Sequence, residues 1–125
     1  MLTAQDILSA EDKELKNVAV PEWGGDIYLR TLSGSERDAF EAETFRQGNP
    51  NYRNLRARYL SLTITDENGK KLFDKNQIGS LGDKSASVLD RLFNISAKMN
   101  AVSDKDVKEL LGNSEAAQSD DSISD

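Results

Sequence analysis

Apolar and polar positions change period several times along this chain, and each change marks an element. Residues 16–20, KNVAV, alternate and put Val18 and Val20 on one face. Residues 26–32, DIYLRTL, alternate again, with Ile27 and Leu29 facing one way and Tyr28, Arg30 and Leu32 the other. A period of two marks a strand with one buried face, so the two runs predict a β-hairpin. PEWGG connects them. Pro21 ends the first strand because it has no N–H for the ladder, and Gly24 and Gly25 are expected to supply the positive φ values of a tight reversal.

Ahead of the hairpin, TAQDILS (3–9) predicts a short helix capped by Thr3, marginal in stability unless it docks. Behind it the period lengthens to that of helices. SGSERDAFEAETFRQG predicts a helix from about Ser35 to Gln47, with Ser33 or Ser35 as N-cap, Glu36 near its start and Arg46 near its end. Its apolar stripe, Ala39, Phe40, Ala42 and Phe45, is narrow, which suits a helix lying on the surface of the core. NYRNLRARYLSLTI (51–64) carries Tyr52, Leu55, Tyr59 and Leu62 at helical spacing, and the β-branched run from Thr63 to Thr65 stops that helix.

Asn68-Gly69, within DENGKKLF, is the strongest short turn signal in the chain and predicts a second small hairpin. DKNQIGSL follows as a short helix with Asp74 as cap and Gln77 in the capping-box position. From Lys84 to Met99, Val88, Leu89, Leu92, Phe93 and Met99 recur at three- and four-residue steps, the pattern of a central helix. In SDKDVKELLG (103–112), Ser103 and Asp106 form a capping box ahead of Val107, Leu110 and Leu111, and Gly112 stops the helix. The fold class is therefore α+β: a small, mostly helical single domain over residues 1–112 with an N-terminal β-hairpin. Residues 113–125 form an acidic tail, expected to be disordered.

At 125 residues, 37% hydrophobic and 30% charged, the chain has the size and apolar content for one modest core. Its net charge of -6 is uneven, because Glu115, Asp120, Asp121 and Asp125 lie in a tail without Lys or Arg. The body is close to neutral and carries no positive footprint for nonspecific nucleic-acid binding.

The chain contains no cysteine and no histidine. Disulfides, a thiolate nucleophile, thiolate zinc ligation and imidazole acid/base chemistry are thereby excluded. No carboxylate pair or activated lysine stands at a recognisable spacing, so the expectation is a protein that is not an enzyme and uses no cofactor or metal. DENGKKLFD fails as a calcium loop: counted from Asp66, Gly69 stands at position four rather than six, and Gln77 occupies position twelve, where glutamate is needed. The opening residues lack the pattern of a signal peptide and no run approaches the ~20 apolar residues of a membrane span, which predicts a cytosolic protein without a membrane partner.

Two features could meet a partner. Trp23, with Glu22 beside it and Tyr28 on the following strand, is either a rigid aromatic anchor or a cover over one end of the hairpin. Arg53, Arg56 and Arg58, with Arg46 nearby, could grip phosphate or a carboxylate-rich surface; the plain alternative is ion pairing with Glu36, Glu41 and Glu43. No aromatic platform accompanies these arginines, as single-stranded nucleic acid would require. Pro21, Gly24, Gly25, Asn68 and Gly69 are expected to act only as turn formers.

The ordered set VPEWGGDIYLRTLSGSERDAFE (20–41), NLRARYLSLTITDENGKKLF (54–73) and KMNAVSDKDVKELLGN (98–113) resembles tail-assembly chaperones of long-tailed, siphovirus-type bacteriophages and prophages. The resemblance spans about Val18 to Asn113 and leaves out the acidic tail. It implies a non-enzymatic protein in the cytoplasm of the bacterial host that binds the phage tape-measure protein, keeps it soluble, promotes assembly of tail-tube subunits and is absent from the finished virion. It further implies self-association and, in many relatives, a longer frameshifted form that recruits the tail-tube protein. Frameshifting is decided in codons and leaves no trace in this sequence. Two alternatives stand beside it: a structural tail or head-tail joining protein retained in the virion, and a small nucleic-acid-binding regulator using Arg46, Arg53, Arg56 and Arg58.

Overall fold

A computed structural model describes residues 1–100 of the chain. The helix expected over 103–112 and the tail over 113–125 lie outside the described residues. The chain opens with α1 (Ala4–Ser9), closed by a reciprocal capping box in which the Asp6 N–H donates to Thr3 Oγ1 at 3.1 Å and the Thr3 N–H donates to Asp6 Oδ2 at 2.9 Å. None of its residues is buried.

Strands β1 (Leu15–Val20) and β2 (Gly25–Arg30) form the expected antiparallel hairpin, with Val18 opposite Ile27 and Val20 opposite Gly25. Between them Pro21–Trp23 make one turn of 3-10 helix, and the Gly24 N–H closes it on the Pro21 carbonyl at 3.0 Å. Only Gly24, at φ 81, takes a left-handed conformation. Gly25 does not, contrary to expectation, because the 3-10 turn already reverses most of the chain and a single left-handed residue completes the reversal.

The sheet has three strands rather than two, in the order β1-β2-β3. Strand β3 (Ile64–Thr65) pairs with β2, setting Ile64 opposite Leu29 and Thr65 opposite Tyr28. The Asn68-Gly69 turn forms just beyond it: Asp66 Oδ1 accepts from the Asn68 and Lys70 N–H groups, Gly69 sits at φ 82, and Thr65 bridges to Lys71. The β-branched residues that stop the preceding helix are the ones that enter the sheet, as their stiff χ1 favours.

Helix α2 (Gly34–Thr44) starts at Ser33, whose hydroxyl accepts from the Glu36 N–H while Glu36 accepts from the Ser33 N–H. It ends three residues before Gln47 because the returning loop claims its last carbonyl: the Asn51 N–H donates to Thr44 O at 2.8 Å. Helix α3 (Leu55–Thr63) begins later than the spacing predicts, since Asn54 adopts a left-handed conformation at φ 51 and breaks the chain direction before it. A 3-10 turn over Lys75–Gln77, capped by Asp74 with Gln77 reaching back, leads into α4 (Ile78–Gly82). Helix α5 (Ala86–Met99) completes the described chain.

The element at the centre is α3 and not the more regularly amphipathic α5. Leu55, Ala57, Tyr59, Leu60, Ser61 and Thr63 of α3 are all buried, so the helix is enclosed on several sides, whereas α5 keeps Asp90, Arg91, Asn94 and Lys98 exposed. One core cluster joins the sheet residues Val20, Leu29 and Ile64 to Leu60 of α3 and Leu92 of α5. A second centres on Tyr59, whose ring stands edge-on to Phe40 and to Phe93 at 5.2 Å each. Burial pushes the Tyr59 phenol up to about 12. Helix α2 holds to this second cluster by Phe40, and Thr44 is buried as well; Ala39, Ala42 and Phe45 of the expected apolar stripe are exposed, so the contact is narrower than the pattern predicts.

Candidate partner-binding surface

The 3-10 turn of the hairpin decides how Trp23 is used. Its indole is half-buried and packs on the first core cluster, so it covers the open end of the hairpin while keeping an outer face. Glu22, its neighbour, points to α5 and accepts two hydrogen bonds from Arg91, at 2.6 and 2.8 Å. Those hydrogen bonds hold the Glu22 carboxyl down at about 2 and raise Arg91 above its usual range. The turn is thus pinned to α5 by apolar cover and an ion pair together. Tyr28, also half-buried, lies on the sheet face opposite to Leu29, beside Thr65.

The arginines are not assembled into one free cationic face. Arg56 is ion-paired with Asp90 across α3 and α5. Arg58 is turned inward: Nη2 donates to Asn51 O at 2.6 Å and Thr44 Oγ1 at 3.2 Å, Nε donates to Arg53 O at 3.1 Å, and the guanidinium lies over the Phe40 ring, 5.2 Å from its centroid. Desolvation lowers its pKa. This arginine braces the α2–α3 loop, whose closely spaced carbonyls need a donor of that fork shape. Arg53 is exposed beside it, and Arg46 lies 3.8 Å from Glu43. Of the acidic residues expected to pair with this group, Glu43 alone does so; Glu36 pairs with Arg30 and Glu41 with Arg37.

Arg30 is a structural residue that the sequence pattern passes over. Its Nε donates to Leu62 O at 2.8 Å while its Nη1 and Nη2 grip Glu36, joining β2, α2 and α3 at one point. The pair holds the Glu36 carboxyl at about 2, the Arg30 hydrogen bond being the largest cause.

Two further surfaces are open among the described residues. The outer edge of β1 carries no strand partner, and the strand, LKNVAV, bears Lys16 as its one charge. The large apolar side chains of Leu2, Ile7, Leu8, Leu15 and Leu72 are exposed, three of them in or beside α1. Their signal in the sequence is the spacing of Ala4, Ile7 and Leu8, one face of a helix. No helix of the described residues is long and apolar enough to cross a membrane. Among the same residues no group of three or more His, Cys, Asp or Glu is placed to hold a metal ion.

This architecture, a small α+β domain with a three-stranded antiparallel sheet flanked by helices, has a counterpart among solved structures. The chain is similar to the structure of the bacteriophage HK97 tail assembly chaperone, with a TM-score of 0.55 and 21% sequence identity over 76% of this chain and 90% of that one. At that identity the likeness establishes a shared fold. Scans against known protein families and curated proteins find no match.

Proposed function

We propose that this protein is a tail-assembly chaperone of a long-tailed phage or prophage. It binds the tape-measure protein in the cytoplasm of the bacterial host, keeps that long helical client soluble, promotes addition of tail-tube subunits and does not remain in the virion. The observation that carries the reading is the fold shared with the HK97 chaperone along nearly all of that chain. The ordered sequence blocks from Val20 to Asn113 support it independently. A chaperone of this kind needs repeated apolar and polar contacts and no catalytic group, and net negative charge opposes co-aggregation with its client.

Trp23, Glu22, Tyr28 and the exposed Arg53 are the side chains proposed to meet client or neighbouring copies. Arg56 and Arg58 are proposed to act indirectly, by holding α3 and the loop before it. A longer frameshifted form and the tail-tube protein are the further partners proposed.

Co-expression with the tape-measure protein encoded nearby, followed by pull-down and size-exclusion chromatography with light scattering, tests the proposal. The expected result is soluble client eluting with several copies of this protein. Client that stays insoluble while this protein elutes alone would overturn it, and recovery of the protein in fixed stoichiometry from purified virions would select the structural-component alternative. In the same assay Trp23→Ala is expected to weaken client capture while circular dichroism shows a folded protein, less stable by about 2 kcal/mol, below the ~3–5 kcal/mol of a fully buried aromatic.

A further inference from the structure

The free edge of the sheet is complementary to itself. Strand β1 lies at the end of the order β1-β2-β3, and among the described residues no strand covers its outer side. At its start the Thr31 N–H donates to Glu14 O at 3.1 Å and the Glu14 N–H donates to Thr31 Oγ1 at 2.9 Å, so the extended backbone already turns the polar groups of Glu14 toward the β2 side. Bonding directions alternate along an antiparallel ladder. Lys16, Val18 and Val20, opposite Leu29, Ile27 and Gly25, therefore bond to β2, while Leu15, Asn17 and Ala19 direct their N–H and C=O groups out of the sheet. All three are exposed. Such a row of unpaired main-chain groups recruits another strand unless charge, proline or a bulge blunts it. The register from Leu15 to Val20 is unbroken, and Lys16 is the one charge within it.

The side chains decide which strand fits. Alternation sets Glu14 and Lys16 on the face of Val18 and Val20, and Leu15, 42% exposed, on the other. Among the described residues neither Glu14 nor Lys16 has an ion-pair partner. An antiparallel second copy has to set outward-bonding residues opposite outward-bonding residues, and a slip changes every pair. With the axis at Glu14 or at Lys16, like charges face each other. With the axis at Asn17, Glu14 and Lys16 face Val20 and Val18 and stay unpaired; at Val18, Leu15 meets Pro21, which has no N–H to give. With the axis at Leu15, the two Leu15 side chains meet, and Glu14 and Lys16 of each strand face Lys16 and Glu14 of the other.

We propose that two copies of this chain pair β1 to β1 across a twofold axis at Leu15, joining their sheets into one. The register satisfies the outward main-chain groups, covers an exposed leucine and neutralises the charge that would otherwise guard the edge. The interface is isologous, so it closes at two copies. Strands this short bury less than the ~1,200–2,000 Å² of a stable interface, so the dimer is weak and forms with rising concentration. The pairing is independent of the proposed function: loss of client binding would leave it standing, and its own failure would leave the chaperone reading untouched.

Sedimentation velocity of the full chain over a wide concentration range is expected to show a monomer–dimer equilibrium. Glu14→Lys and Lys16→Glu are each expected to weaken it at least fivefold, because the axis repeats each substitution, and Glu14→Lys/Lys16→Glu is expected to restore it within about twofold. Both side chains are exposed, so circular dichroism should be unchanged in all three variants. Self-association indifferent to the single variants, or a chain monomeric at every concentration, would overturn the proposal. The cysteine-free sequence gives a second measurement. Under mild oxidation Leu15→Cys is expected to form a disulfide-linked dimer at least tenfold faster than Asn17→Cys or Ala19→Cys, with a yield that falls on dilution, since only position 15 faces itself. Equal rates at the three positions, or faster linking at Asn17, would equally overturn it.

Discussion

At the scale of the residue, charged side chains in this protein act mostly as braces. Arg58 satisfies carbonyls and a hydroxyl that the α2–α3 loop turns inward, so Arg58→Ala leaves half-buried acceptors unpaired and is expected to destabilise by about 2–3 kcal/mol in urea unfolding. Arg58→Lys is expected to recover little of this, because an ammonium cannot reach the three acceptors in one plane. Glu36 carries a pH dependence of definite sign. Its carboxyl titrates at about 2 in the fold against 4.5 when unperturbed, so the unfolded chain binds the proton first. The stabilisation is complete above 4.5 and is lost as pH falls through that value toward 2. Urea midpoints measured down this range are expected to fall less steeply in Glu36→Gln than in the natural sequence.

At the scale of the element, the legible parts were those whose signal is local. Thr3 and Asp74 read as caps and Ser33 as one of two candidates beside Ser35, and in the structure each of the three closes a reciprocal box within four residues. Ser33→Ala is accordingly expected to cost about 1 kcal/mol, read as a lower thermal midpoint without change in the circular dichroism of the folded state. The hairpin was equally legible, because period two in both strands and a proline-glycine connection agree. What was not legible is what distant contacts decide. β3 exists because Ile64 and Thr65 find β2 across more than thirty positions of sequence, and α2 stops early because Asn51 comes back to Thr44. The arginines of 53–58 look alike in the sequence, yet one faces solvent, one pairs with Asp90 and one is drawn into a loop, a division set by the packing of α3 rather than by their spacing. Gly25 looked like a turn former for a similar reason: the composition of PEWGG does not reveal how much of the reversal a 3-10 turn absorbs.

At the scale of the whole molecule, the two core clusters are one cooperative unit. Adjacent residues of the same helices serve both, Leu60 beside Tyr59 on α3 and Leu92 beside Phe93 on α5, so neither cluster can loosen without moving the other. Leu92→Ala and Phe93→Ala, in different clusters, are each expected to cost about 2–5 kcal/mol and to shift a single transition; separate transitions in urea would show independent units. The fold likeness to the HK97 chaperone covers 76% of this chain, and the described residues hold the core, the hairpin turn and α5 as its main parts. Trp23 joins those parts, resting on the first cluster while the adjacent Glu22 reaches α5. As the chain's one tryptophan it is also its one intrinsic fluorophore of that kind, placed half in and half out of water at the junction of turn, sheet and helix. Its emission wavelength reports on that junction without any label, shifting to the blue when a partner covers the indole and to the red when the turn lifts from α5.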